Sequence, residues 1–183
     1  TIPKSITNIG MWAFSFCENL TNVIFPDNLK EIPYAMFIYC TNLTNITIPS
    51  GVLTIGNFAF ENCESLTSIA IPAAVDSIGE RMFYGCTNLV RVRMGYVTTI
   101  GEGAFENCIS LTDIELPNGL TTIGERAFCD CTSLTDINIP WMVRSIGEGA
   151  FAACTSLSNI NVDTDNGRYT SIDGNLYTKN GQT

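Results

Sequence analysis

The chain has 183 residues, 45% hydrophobic and only 15% charged, which is too apolar for a disordered segment. It has no run of about 18 apolar residues that would cross a bilayer as a helix. Its net charge is −9 without a lysine or arginine stripe, which argues against a phosphate-backbone partner. It has no histidine, which removes the commonest general base near neutral pH and excludes Ser/His and Cys/His catalysis within this chain.

Self-similarity dominates what remains. Phe14, Phe37, Phe60, Phe83, Phe105, Phe128 and Phe151 recur at a step of 23 residues, shortened to 22 between Phe83 and Phe105. Three positions after each stands a cysteine: Cys17, Cys40, Cys63, Cys86, Cys108, Cys131 and Cys154. A leucine follows each cysteine, from Leu20 to Leu157, and then two apolar residues two apart, as in Ile69 and Ile71. A fixed step with apolar residues at fixed phases is a solenoid, because one coil cannot bury its own apolar side and stacked coils bury it between neighbours. The coils are numbered 1 to 7 by their phenylalanines.

The N-terminus, Thr1-Ile2-Pro3-Lys4, starts in mid-pattern and does not read as a signal peptide, so an export signal is expected outside this stretch. Within each coil, Gly-x-x-Ala-Phe-x-x-Cys puts Ala, Phe and Cys at i, i+1 and i+4. That spacing predicts one or two turns of inward-facing helix, too short to stand alone. The following Leu-x-x-Ile-x-Ile alternates like a half-buried strand. Seven such strands at about 4.8 Å spacing predict a parallel sheet roughly 30 Å long. Proline ends most of them (Pro26, Pro49, Pro72, Pro117, Pro140), since it cannot donate to a ladder. The segment Val-x-x-Ile-Gly, as in Val75 to Gly79, predicts a second, shorter strand or extended turn, with glycine allowing a sharp bend.

The 23-residue pattern stops after Val162. Residues 1–162 are therefore the expected solenoid and 163–183 an extension of the same domain. Its turn signals, Asp173-Gly174 and Asn180-Gly181, flank Leu176-Tyr177 and predict a β-hairpin. An open solenoid end needs a cap, so the natural chain is expected to continue or to be covered here by a partner.

The consensus Ile-Pro-x-x-Val-x-x-Ile-Gly-x-x-Ala-Phe-x-x-Cys-x-x-Leu-Thr-x-Ile resembles the BspA-like leucine-rich repeats from Thr1 to about Val162. Tyr169-Thr170-Ser171-Ile172-Asp173-Gly174-Asn175-Leu176-Tyr177 is similar to a segment that recurs in the same family. The resemblance implies surface proteins of anaerobic bacteria and some protists that adhere to matrix proteins or neighbouring cells, with no family active site to carry over. The expected fold is an α/β solenoid: a right-handed leucine-rich-repeat superhelix of about seven coils. It has a parallel sheet on one face, short helices on the other, and a hairpin-like end.

Several motifs dissolve into the repeat. A cysteine ladder spaced by 22 or 23 residues lacks the close pairs of a zinc site and reads as buried free thiols. Cys129 stands off the ladder and is the expected exposed thiol. Gly147-Glu148-Gly149-Ala150-Phe151-Ala152 mimics a dinucleotide fingerprint but is one copy of the repeat. Asp163, Asp165 and Asp173 do not fit a calcium loop and read as turn formers. Asn19, Asn42 and Asn45 are glycosylation sequons in form only.

Individual chemistry is expected on the outward positions of the main strands, which vary while the inward ones do not. Arg91 is expected beside Asp113, and Arg93 beside Glu115. Coil 4 is the odd one, one residue short, with Gly95-Tyr96 where other coils have proline. Arg91, Arg93, Tyr96, Asp113, Glu115 and Asp136 are thus the candidate protein-binding residues. The function expected is a non-catalytic protein-binding module of a cell-surface or secreted protein, without cofactor, metal, nucleic-acid partner or membrane insertion. The alternative is an inert stalk displaying other domains.

Overall fold

The structure, a computed structural model, describes residues 1–179. Seven main strands follow the leucines: β1 (Asn22–Val23), β3 (Asn45–Ile46), β5 (Ser68–Ala70), β7 (Arg91–Arg93), β9 (Asp113–Ile114), β11 (Asp136–Ile139) and β13 (Asn159–Val162). Six second strands alternate with them: β2 (Glu31–Ile32), β4 (Thr54–Ile55), β6 (Ser77–Ile78), β8 (Thr99–Ile100), β10 (Thr122–Ile123) and β12 (Ser145–Ile146). The second strand expected from Val-x-x-Ile is therefore present, and the described chain completes about six turns. All pairing within the coils is parallel and one repeat apart, as in Asn22 with Asn45 and Arg91 with Asp113.

Neither ladder runs the whole length. The main strands pair as β1–β3, β5–β7–β9 and β11–β13, and the second strands as β2–β4 and β6–β8–β10–β12. Strands of two to four residues carry few ladder bonds each, so a small twist between coils ends the pairing. Single bonds such as Ser133 N–H to Ile109 O, 3.1 Å, hold the coils where a ladder lapses.

The short helices expected opposite the main strands do not form among the described residues. Coil 3 shows why. The N–H groups of Phe58, Phe60 and Asn62 donate to Glu80, Met82 and Tyr84 of coil 4 at 2.7–3.0 Å. Those of Glu61 and Cys63 turn back to Phe58 and Phe60, three residues earlier, at 3.1 Å. Alternate N–H groups thus leave the coil, whereas a helix keeps all of them along its own axis. The alternation needs left-handed backbone two residues before and two after each phenylalanine. Phe58 and Asn62 (φ 61° and 55°), Gly103 and Asn107 (56° and 62°), and Gly149 and Ala153 (62° and 56°) all adopt it. Glycine and asparagine take this region at low cost and other residues do not.

The inward side chains form ladders. The seven phenylalanine rings stack from coil to coil with centroids 5.2–5.6 Å apart and planes within 3–12° of parallel. Phe37 to Phe128 are fully buried. Such pairs contribute about 0.5–1.5 kcal/mol beyond area burial. The ladder thiols, read as buried and free, are free, and all but the half-buried Cys17 are buried. Each has a specific bond: Cys40, Cys63, Cys86, Cys108, Cys131 and Cys154 donate Sγ–H to the carbonyl of the preceding coil's phenylalanine at 2.9–3.2 Å. Cys129 is buried too, at 2% exposure, contrary to expectation. It occupies the phase of Glu61, also buried at 5%, where the side chain lies against the neighbouring coil.

The glycine before the turn segment serves close approach, not the sharp bend expected of it. A Cβ on Gly124 would lie 2.5 Å from the carbonyl carbon of Gly101 one coil back. Asn42 and Asn88 bridge coils by donating Nδ2–H to Glu18 O and Glu64 O at 2.7 and 3.0 Å, so the Asn42 sequon side chain is engaged in stacking.

After β13 the chain forms an antiparallel hairpin, β14 (Tyr169–Ile172) and β15 (Asn175–Thr178), turning at Asp173-Gly174 with both residues at positive φ. Gly174 O accepts Ile160 N–H at 2.8 Å, docking the turn on β13. Asn166, fully buried, donates to Pro140 O (2.8 Å) and Val143 O (3.1 Å) and accepts from the N–H groups of Arg168 (2.9 Å) and Tyr169 (2.8 Å). The Tyr169 hydroxyl accepts Ile146 N–H at 3.0 Å. The turn signal at Asn180-Gly181 lies outside the described residues.

Three outcomes follow from this packing. Phe83→Ala, in mid-stack, should lower the unfolding free energy by about 3–5 kcal/mol, and Phe14→Ala at the partly exposed end by less, as read by urea titration. Ala153→Gly should raise stability by about 1 kcal/mol by relieving left-handed strain, while Gly103→Ala should lower it; equal effects of one sign would contradict the backbone account.

The third concerns the thiols. Burial pushes Cys63, Cys86, Cys108 and Cys131 well above the ordinary value, and Cys40 from 9.0 to about 11. Unfolded thiols release protons near pH 9 while folded ones keep them, so the thiols' contribution to stability should be constant below that pH and fall as pH rises toward 11. A thiol reagent should label Cys17 first in the native protein and all eight cysteines after denaturation. Fewer than eight without reductant would reveal disulfides.

Candidate functional site

The outward side chains of the main strands stack in register, and on β7 and β9 they are charged. Arg91 and Asp113 pair across adjacent coils as expected, Nε to Oδ2, with both side chains half exposed. An exposed pair of this kind contributes roughly 0.2–1 kcal/mol. Arg93 and Glu115 do not pair. Among the described residues neither forms an ion pair, and the β7–β9 ladder ends at Val92 and Ile114. The expectation that the two would stack is corrected here.

Coil 4 is the coil with a residue missing. Coil 3 runs 15 positions from Phe60 to Val75, while coil 4 runs 14 from Phe83 to Val97. The shorter corner pulls coil 4 against coil 3: a Cβ on Gly95 would sit 2.8 Å from the Ala73 Cα. Only glycine fits there, so the proline of the other corners is excluded. Between this corner and that of coil 5 lies a cleft of about 670 Å³.

This cleft collects Arg93, Tyr96, Asp113 and Glu115, together with Met94 and Asn118. Tyr96 projects from its rim, 77% exposed. Arg91 reaches the cleft only through its pair with Asp113. Asp136 lies apart; its carboxylate is held below the usual range by hydrogen bonds from Asn159 (2.8 Å to Oδ1) and Thr135. A smaller cleft of about 430 Å³ adjoins the first, shares Glu115, Leu116 and Asn118 with it, and continues past Asn138 and Asn161 to Asp163. Asn161 donates Nδ2–H to Asn138 Oδ1 at 3.1 Å, an amide ladder along this groove. Asn118, Asn138 and Asn161 were not among the candidates. The signal for Asn138 and Asn161 was asparagine at one outward phase of successive coils; Asn118, in the corner after Pro117, had none.

On the opposite, turn-bearing face, oxygen and sulfur atoms of Glu106, Cys129 and Asp130 lie within 4.8 Å of one another. Arg126 already occupies Glu106 through Nη2 (2.6 Å) and Nε (3.2 Å), and Cys129 donates to Asp130 Oδ2 at 3.3 Å. Burial, with that hydrogen bond and the Asp130 charge, pushes the Cys129 thiol up to about 11, so the cluster holds a cation and a protonated thiol of its own. Asp163 forms a turn by accepting Asp165 N–H at 2.9 Å, and Asp173 sits in the hairpin turn.

Comparison with the curated proteins finds no match to the chain. Among solved structures, a leucine rich cell surface protein from Faecalibacterium prausnitzii is 34% identical over 98% of this chain and 42% of its own, with a TM-score of 0.66. A leucine-rich repeat protein from Bacteroides ovatus is 29% identical over 90% of this chain and 54% of its own, with a TM-score of 0.60. A leucine rich repeat protein of T. pallidum is 29% identical over 76% of this chain and 57% of its own, with a TM-score of 0.59. The chain therefore spans about half the length of these relatives. The family profile described as BspA type Leucine rich repeat region matches residues 1–96 and 88–180 in six copies. With stacked Phe, Cys and Leu ladders, parallel strands one repeat apart and that match over nearly its whole length, the chain belongs to the BspA-type leucine-rich repeat family.

Proposed function

We propose that this chain is a non-catalytic protein-binding module of a cell-surface or secreted protein, adhering to host or neighbouring-cell proteins. Its recognition surface is the cleft between coils 4 and 5. The leucine-rich-repeat fold is that of a protein-interaction module and presents a long, shallow surface suited to macromolecules. The F. prausnitzii relative is a cell surface protein, which supports the same setting here.

The carrying observation is the shortened corner. Beside it Arg93 and Glu115 stand without an ion pair on two walls of one cleft, with Tyr96 exposed at the rim. Opposite charges that a regular coil would join are available to a partner, and an exposed tyrosine beside them is the kind of residue that anchors interfaces. Arg91–Asp113 bridges the two coils beside the cleft, and Asp136 extends the charged face beyond it.

The test is capture of matrix proteins and bacterial surface proteins by the immobilised chain, followed by titration of a captured protein against variants. Arg93→Ala, Tyr96→Ala and Glu115→Ala should each weaken binding about tenfold, near 1.4 kcal/mol, with circular dichroism unchanged. Inserting one alanine between Gly95 and Tyr96 should restore a regular coil, close the cleft and abolish binding. Unchanged affinity across these variants sinks the site. Absence of any captured protein favours the stalk.

A further inference from the structure

The turn face, opposite the proposed cleft, divides into two halves of different chemistry. Over coils 1 to 3 it is aromatic. Trp12, Tyr34 and Phe58 form a chain of ring contacts with centroids 5.4 and 5.2 Å apart, and Phe16 stacks on Tyr39 at 4.9 Å. Trp12 is 54% exposed, Phe16 63% and Tyr39 39%. Tyr34, Tyr39 and Phe58 lie on coils with a neighbour on each side, so their share of the patch does not come from an open end. Two neighbouring rows of partly exposed rings of this kind mark an interaction surface.

Over coils 4 to 7 the same face is acidic. The phase held by Tyr34 in coil 2 is held by Glu80, Glu102, Glu125 and Glu148. Their backbones are joined coil to coil, since Arg81, Gly103 and Arg126 donate N–H to the carbonyls of Glu102, Glu125 and Glu148 at 2.8–3.0 Å. The four glutamates therefore share one phase on adjacent coils, their backbones at about the interstrand spacing of 4.8 Å. Among the described residues none of the four carries an ion pair, because the arginines of this face are engaged elsewhere: Arg81 with Glu61 at 3.0 Å and Arg126 with Glu106 at 2.6 Å. Arg81 also stacks on Tyr84 at 3.9 Å, where the aromatic half meets the acidic one.

We propose that the turn face is a second docking surface, for a segment of a partner protein that is apolar in one half and cationic in the other. The segment's apolar side chains sit on the Trp12–Tyr34–Phe58 and Phe16–Tyr39 rings, and its lysines or arginines run along the glutamate column. Charge complementarity selects this occupant. A second copy of the chain brings the same net charge of −9, and an anionic membrane is repelled by the column.

The experiment uses the 183-residue chain with Trp141→Phe, so that Trp12 is the sole tryptophan, and a labelled synthetic peptide with a leucine-rich half followed by a lysine-rich half. Binding with a blue shift of Trp12 emission is expected. Phe16→Ser/Tyr39→Ser and Glu102→Gln/Glu125→Gln/Glu148→Gln should each weaken it tenfold or more, whereas Arg93→Ala/Glu115→Ala at the other face should leave it unchanged. The glutamine variants alter exposed side chains only and keep the test valid if the serine variant unfolds. Loss in the glutamine variant with none in the serine variant, or equal binding of an all-lysine peptide, would reduce the contact to bulk charge and overturn the proposal. So would no peptide binding, peptide-independent dimers abolished by the serine substitutions, or capture by phosphatidylserine vesicles in place of peptide.

Discussion

Each coil hands alternate backbone N–H groups of its turn segment to the next coil, and most of the structure follows from that transfer. The bonds set the coil spacing, and the spacing brings the phenylalanine rings to 5.2–5.6 Å, within stacking contact. It places each ladder thiol against the phenylalanine carbonyl of the coil before it. It also leaves no room for a side chain where Gly124 passes Gly101. Left-handed residues on both sides of every phenylalanine are the conformational cost of aiming the N–H groups outward. Gly103 and Asn107 carry that cost cheaply, and Ala153 does not.

Because inward positions are committed to stacking, variation is confined to outward positions and to coil length. A single deletion is enough to produce a feature. Coil 4 rounds its corner one residue early, Gly95 lies against Ala73, and a cleft lies on the side of coil 5. The unpaired state of Arg93 and Glu115 is the electrostatic counterpart of that shift. Arg91 and Asp113, two residues earlier where the ladder still runs, remain paired. The turn face shows the same logic without a deletion: one outward phase is tyrosine in coil 2 and glutamate from coil 4 onward, so a periodic scaffold carries an aperiodic surface.

The solenoid, its second strand, the inward ladders, the free thiols and the family were legible in the chain, because each is a periodic signal repeated seven times. The hairpin at Asp173-Gly174 was legible because its turn chemistry is local. The Arg91–Asp113 pair followed from register alone. Single events, such as the missing residue of coil 4, were harder. So was one repeated segment: Ala-Phe-x-x-Cys has the spacing of a helix, and only the glycines and asparagines at Asn62, Gly85, Gly103, Asn107 and Gly149 hinted otherwise.

Sequence by itself determined what repeats, since identical residues at a constant step must occupy equivalent places in a stack. Tertiary structure alone decided where alternate N–H groups go, because a neighbouring coil's carbonyls compete with the coil's own and no local pattern records the outcome. It decided that Cys129 is buried, since only the coil alongside covers it. It decided also that Arg93 and Glu115 stand apart, because the effect of one missing residue depends on which neighbour the shortened corner approaches.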